Sequence, residues 1–155
     1  MLTYDVGNEI LDGDVGKERF FIRAFSGGGR SAYRPAGEAT LESWNFRREA
    51  QGRVRGGPLP PGTYKCSYFE CLHGAKHVWH NVIRLDPIRV PSLGHRGGFL
   101  IHGSGPLGSD GCIVPQNEAE RVRLNKAIKE NSGTTLRVIN PYFVPEGRTV
   151  PMNLA

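Results

Sequence analysis

Glycine and proline punctuate this chain at intervals that suit strands and tight turns, and that constrains its fold more than any other feature. Its 155 residues include 21 glycines and 11 prolines, clustered between short runs of β-branched and aromatic side chains. Turns joining many strands need this chemistry, because glycine adopts the positive φ other residues avoid and proline presets φ near −65°. The expectation is a mainly β domain, a sandwich or partly open barrel, with one main helix. The length suits a single domain over residues 1–155, able to bury a sizeable core.

Strands are predicted from Leu2 to Val6 and from Arg19 to Phe25, broken at Gly7, at Asp12-Gly13-Asp14 and at Ser26-Gly27-Gly28-Gly29. Residues 30–55 are polar and Arg-rich and read as a long loop with a short helix around 41–48. Gly56-Gly57-Pro58-Leu59-Pro60-Pro61-Gly62 is a rigid turn, followed by a strand over Thr63, Tyr64, Lys65 and Cys66. Further strands are expected from Trp79 to Leu85, from Gly98 to His102 and over residues 134–139. The main helix should span 117–131, with Asn117 as its cap, Glu118 and Glu120 in its first turn and Gly133 at its exit. Ala119, Val122, Ala127 and Ile128 would supply much of its buried stripe.

Hydrophobic residues at 38% and charged residues at 23% are those of a soluble globular chain. No apolar run approaches the ~20 residues that span a bilayer. The first residues lack the basic and apolar segments of a signal peptide, so export would need another route. A net charge of +5 favours an anionic partner or a solvated basic surface. Three cysteines allow at most one disulfide, and the one left over is a candidate reactive thiol.

The stretch that carries chemistry is Gly98-Phe99-Leu100-Ile101-His102-Gly103, then a glycine-rich turn, then Ser109-Asp110-Gly111-Cys112-Ile113-Val114. A strand delivers a histidine to its end, and the chain returns with a cysteine preceded by glycine. Thiolate is the nucleophilic form of cysteine, and an adjacent base promotes it. Consecutive N–H groups around Gly111 and Cys112 can form an oxyanion hole.

These residues resemble the active-site signature of the L,D-transpeptidase catalytic domain (the YkuD-like family): a strand ending in Ile-His-Gly, then Ser/Thr-x-Gly-Cys followed by an apolar residue. The turn Gly57-Pro58-Leu59-Pro60-Pro61-Gly62-Thr63-Tyr64 matches a second, Pro-x-Gly-x-Tyr motif. With Phe25-Ser26-Gly27 and the short interval from His102 to Cys112, the chain is most similar to the type VI secretion L,D-transpeptidase effectors. Asp110 stands where many members have histidine, which also suits that branch.

The resemblance implies an enzyme without cofactors. Cys112 would be the acyl-accepting nucleophile and His102 its base, with Gly103 orienting the imidazole through its carbonyl. Ser109 would hold the loop, and Gly111 and Cys112 would supply the oxyanion donors. Tyr64, His95, Ser104, Asp110 and Arg96 are the candidate substrate-contacting residues, with the Arg47-Arg48 pair a further basic option. The implied partners are peptidoglycan stem peptides, a secretion machine and a cognate immunity protein, with no nucleic acid and no membrane span. The chain would act in the periplasm of a target bacterium.

Three other readings compete. Cys66, Cys71, His73, His77 and His80 have zinc-type side chains, but their spacing matches no structural finger, and Cys66 and Cys71 can equally be a hairpin disulfide. A chymotrypsin-like cysteine protease would use Cys112 with His73 or His77. A basic binding module would use Arg30, Arg34, Arg47, Arg48, Arg53 and Arg55 with Tyr33 and Trp44 interleaved for stacking.

Overall fold

The computed structural model describes residues 1–27, 58–74, 77–91, 93, 97–103 and 111–140. Its strands are β1 (Leu2–Asp5), β2 (Ile10–Val15), β3 (Glu18–Ser26), β4 (Gly62–His73), β5 (Val78–Arg89), β6 (Leu100–Ile101), β7 (Ile113–Pro115) and β8 (Thr134–Ile139). One helix, α1 (Glu118–Glu130), lies between β7 and β8. The strands close into a barrel in the order β1-β2-β3-β7-β6-β5-β4-β8. Among the described residues the expected mainly β fold with one main helix is therefore what forms, and the sheet closes completely. Closure comes from the parallel pairing of β1 with β8, which joins the first and last of the described strands and removes both sheet edges.

Strand alternation fills the barrel. Along β3, Phe20, Ile22, Ala24 and Ser26 are buried while Phe21 is exposed, the period-two pattern of a strand with one face inward. Tyr4, Leu11, Tyr64, Ile83, Phe99, Ile101, Ile113 and Leu136 add the bulk of the core. Both buried phenols find acceptors, Tyr4 donating to the Ala24 carbonyl at 3.0 Å and Tyr64 to the Pro60 carbonyl at 2.7 Å. Buried hydroxyls need such partners, since an unsatisfied one costs about 1–3 kcal/mol.

α1 lies across one end of the barrel. Asn117 caps it, its side chain accepting from the Glu120 N–H, and Leu124, Ala127 and Ile128 seal the core. At one side Arg123 reaches Glu18 at the start of β3, and at the other Arg121 donates to the Asn81 carbonyl of β5. Of the expected stripe, Ala119 and Val122 are exposed instead of buried, while Leu124 joins Ala127 and Ile128 on the inner side. That stripe must point at a barrel end, where only a narrow sector of the helix finds apolar neighbours.

Several expectations change. Asp12-Gly13-Asp14 is no break, because β2 pairs with both neighbours through it. Gly13 lets the chain pass there, its φ being +137° with the Met1 carbonyl too close for a Cβ. β4 and β5 form a longer hairpin than the turn residues suggested, with Pro87 accommodated inside β5. Cys66 and Cys71 are both free. They stand on the same strand, one in the core and one exposed, about 16 Å apart at strand rise, far beyond disulfide reach. The helix expected at 41–48 lies outside the described residues.

Gly62 sits at φ +149°, and a Cβ there would lie 2.3 Å from the Arg89 carbonyl oxygen. Gly97 has open space and no positive φ. Gly62→Ala should therefore destabilise the protein by about 2 kcal/mol or more, combining overpacking with backbone strain, whereas Gly97→Ala should change stability by less than about 1 kcal/mol. Parallel thermal melts of the two variants check this, and equal melting temperatures would refute the close approach of β4 to β5.

Candidate active site

The parallel pairing of β6 with β7 builds the site. Ile101 and Ile113 are register partners, and the His102 N–H continues the ladder to the Ile113 carbonyl at 3.1 Å. Both isoleucines point into the core. By alternation, Leu100 of β6 and His102 just after it, with Cys112 just before β7 and Val114 within it, occupy the other face, outside the barrel. His102 and Cys112 thus share one face of neighbouring strands, offset diagonally by one side-chain step.

Cys112 is half-buried, and its Sγ accepts a hydrogen bond from the Leu100 backbone N–H at 3.3 Å. That donor is complementary to a negatively charged sulfur. The peptide before it is held from inside the barrel. Ser26 is the last inward residue of β3; its hydroxyl donates to the Gly111 carbonyl at 3.0 Å and accepts from the Leu59 N–H at 2.9 Å. With its carbonyl pinned, the trans Gly111–Cys112 peptide aims its N–H to the opposite side. Gly111 has φ +114°, a conformation that favours glycine.

His102 is buried, only 8% exposed. Its Nδ1 lies 2.8 Å from the Gly103 carbonyl oxygen. A carbonyl can only accept, so this contact places the proton on Nδ1 and leaves Nε2 as the basic nitrogen. The ring packs against Trp79 at 4.8 Å between centroids, and Trp79 in turn meets His77 at 4.6 Å. Arg121 is mostly buried and lies against Gly103, where an added Cβ would approach its Nε to 2.7 Å. Glu118 grips that guanidinium from one side and the Asn81 carbonyl takes its Nη1 at 3.1 Å.

Burial pushes the His102 pKa below its ordinary 6.5; the Gly103 carbonyl opposes this, while Arg121 and His77 press it lower still. The folded protein therefore favours the neutral ring, and in the window from 6.5 down to the lowered value the unfolded chain binds more protons. Stability must fall as pH falls through that window. His102→Gln should flatten the fall, seen as a smaller loss of melting temperature between pH 7.5 and 5.5 than in the wild type. Identical pH profiles for both proteins would exclude a buried, neutral His102.

Of the other expected residues, Tyr64 is corrected: it is fully buried, its hydroxyl held by Pro60 and its ring edge-on to Phe99. Register puts it inside the barrel, so it is a core residue and offers no surface to substrate. His95, Arg96, Ser104, Ser109 and Asp110 lie outside the described residues, as do the Arg47-Arg48 pair and the arginines of the basic-module reading. Among the described residues no three His, Cys, Asp or Glu side chains gather as a metal site. No helix of the described residues is long and apolar enough to cross a membrane.

Sequence reasoning missed Trp79, Arg121 and the clamp formed by Ser26. The spacing of Glu118 and Arg121 signals a helix-surface pair, but nothing local says that this pair backs the histidine turn. No family model matches the chain, and no curated protein matches it.

Proposed function

We propose that this chain is a cysteine acyltransferase of the L,D-transpeptidase type, acting on tetrapeptide stems of bacterial peptidoglycan. The observation that carries the reading is the register of β6 with β7, which puts a half-buried thiol and a histidine whose tautomer leaves Nε2 as base on one outer face, one side-chain step apart. The motifs around these residues, and the Pro-Pro-Gly-Thr-Tyr turn before β4, support the same class.

In this mechanism Nε2 of His102 takes the Cys112 proton as Sγ attacks the carbonyl between the L-centre of diaminopimelate and the terminal D-Ala. The Cys112 N–H, aimed away from the Ser26-bound carbonyl, meets the developing oxyanion. Collapse of the tetrahedral intermediate breaks the amide bond, and the imidazolium returns its proton to the departing D-Ala amine. Water then cleaves the thioester to give the tripeptide acid, or a free D-amino acid takes the acyl group and gives an exchanged tetrapeptide. Either outcome removes the donors needed for cross-linking, as befits an antibacterial effector delivered by a type VI machine and restrained by an immunity protein.

Mass spectrometry of disaccharide tetrapeptides incubated with the protein tests this, with and without an added D-amino acid. The expected products are the tripeptide and the mass-shifted exchange product. Tetrapeptide recovered unchanged under both conditions would sink the proposal. Activity surviving His102→Ala would instead favour the protease arrangement with an upstream histidine.

A further inference from the structure

At the barrel end opposite α1, the start of β4 and the ends of β1, β5 and β8 surround an open cleft of about 490 Å³. Pro61, Pro91, Val138 and Ile139 give it apolar walls. Across its floor, Arg137 on β8 pairs with Thr63 on β4, and Thr63 pairs with Arg89 on β5. Tyr64 points into the core, so Thr63 and its two partners project outward. The irregularity between Thr63 and Tyr64 leaves Ile88 unpaired and brings Arg89 opposite Thr63.

Strands ~4.8 Å apart set the two arginine backbones ~10 Å apart with Thr63 between them. Two long side chains can close that gap over the threonine hydroxyl. Both arginines are exposed, and among the described residues neither guanidinium has a hydrogen-bond or ion-pair partner. Like charges so arranged repel until an anion joins them. The lining also includes Asp5, but its two oxygens accept from the backbone and side-chain N–H groups of Asn8 at 3.0 and 2.8 Å.

We propose that this cleft binds a monoanionic carboxylate carried on an apolar body. Two guanidinium groups and one carboxylate leave a single net positive charge in the lining, which matches a carboxylate better than a phosphate dianion. The planar fork of arginine suits a carboxylate, and the proline, valine and isoleucine walls bury the apolar remainder. The site lies away from Cys112: Arg89 is five residues beyond Arg84, the partner of Leu100, about 16 Å along the strand. It stands whether or not the cysteine reading holds.

The test is a titration of the ¹⁵N-labelled chain with hexanoate, followed by amide chemical shifts. Saturable shifts are expected at Thr63, Val138 and Ile139. The double variant Arg89→Gln/Arg137→Gln should weaken binding by about tenfold or more, and Arg89→Gln alone by about threefold, which keeps the test decisive if the double variant is unstable. Neutral 1-hexanol and sodium chloride at matched ionic strength should give no saturable shift. Non-saturating hexanoate shifts, or equal affinity in wild type and variants, would overturn the proposal, and inorganic phosphate binding more tightly than hexanoate would overturn the carboxylate assignment.

Discussion

Cys112→Ala should abolish conversion of tetrapeptide stems, a loss of at least about 10³-fold, because it removes the proposed covalent nucleophile and with it the acyl intermediate. The fold should survive. Cys112 is half-buried just before β7, and the substitution removes one acceptor, that for the Leu100 N–H, worth about 1 kcal/mol. Cys112→Ser keeps an acceptor and nearly the same shape, yet should lose most turnover, since a hydroxyl is much less readily ionised than a thiol. Residual activity in the alanine variant equal to wild type would place the chemistry elsewhere.

Thiol alkylation gives an independent reading of the same site. Cys66 is sealed in the core with its thiol pushed up to about 12, mainly by burial, and should remain unlabelled in the folded protein. Cys71 is exposed on β4, its Sγ 3.7 Å from Nε2 of His73. If His102 acts on Cys112, His102→Gln should slow alkylation of Cys112 by iodoacetamide and leave the rate at Cys71 unchanged. Peptide mapping by mass spectrometry separates the three sites.

The second large effect belongs to Ser26, which touches no substrate in the proposed mechanism. Its buried hydroxyl holds together three segments distant in sequence: β3, the Leu59 turn and the peptide before Cys112. Ser26→Ala would strand a buried N–H and a buried carbonyl, each costing about 1–3 kcal/mol. We expect a loss of about 2–4 kcal/mol and, for a domain of this size, a melting temperature lower by roughly 5–15 °C. Turnover should fall further than the folded fraction does, because the Gly111–Cys112 peptide loses its orientation. A variant as stable as the wild type would show that the clamp is dispensable.

Much of the fold was legible locally. The helix expected over 117–131 is α1 with Asn117 as its cap, because capping and first-turn acids act within one turn of chain. The apolar and aromatic run from Arg19 to Phe25 marked β3 for the same reason: its signal is written in consecutive residues. The two parts of the candidate site, a His-Gly strand end and a Gly-Cys return, were also visible, since both lie in one short stretch. Trp79 and Arg121 were not, because their distance from His102 in space depends on the β4–β5 hairpin and on how α1 crosses the barrel end.

Turn chemistry, strand period, helix caps and the succession of a strand-borne histidine and a glycine-preceded cysteine are properties of neighbouring residues, and the amino-acid order alone determined them. Only the tertiary structure decided that the sheet closes through β1 and β8, that Tyr64 and Cys66 face inward, that Ser26 grips the peptide before Cys112, and that two arginines flank Thr63. The reason is register: which residues meet across strands is chosen by burying the greatest apolar surface around a closed barrel, a collective condition that no local segment contains.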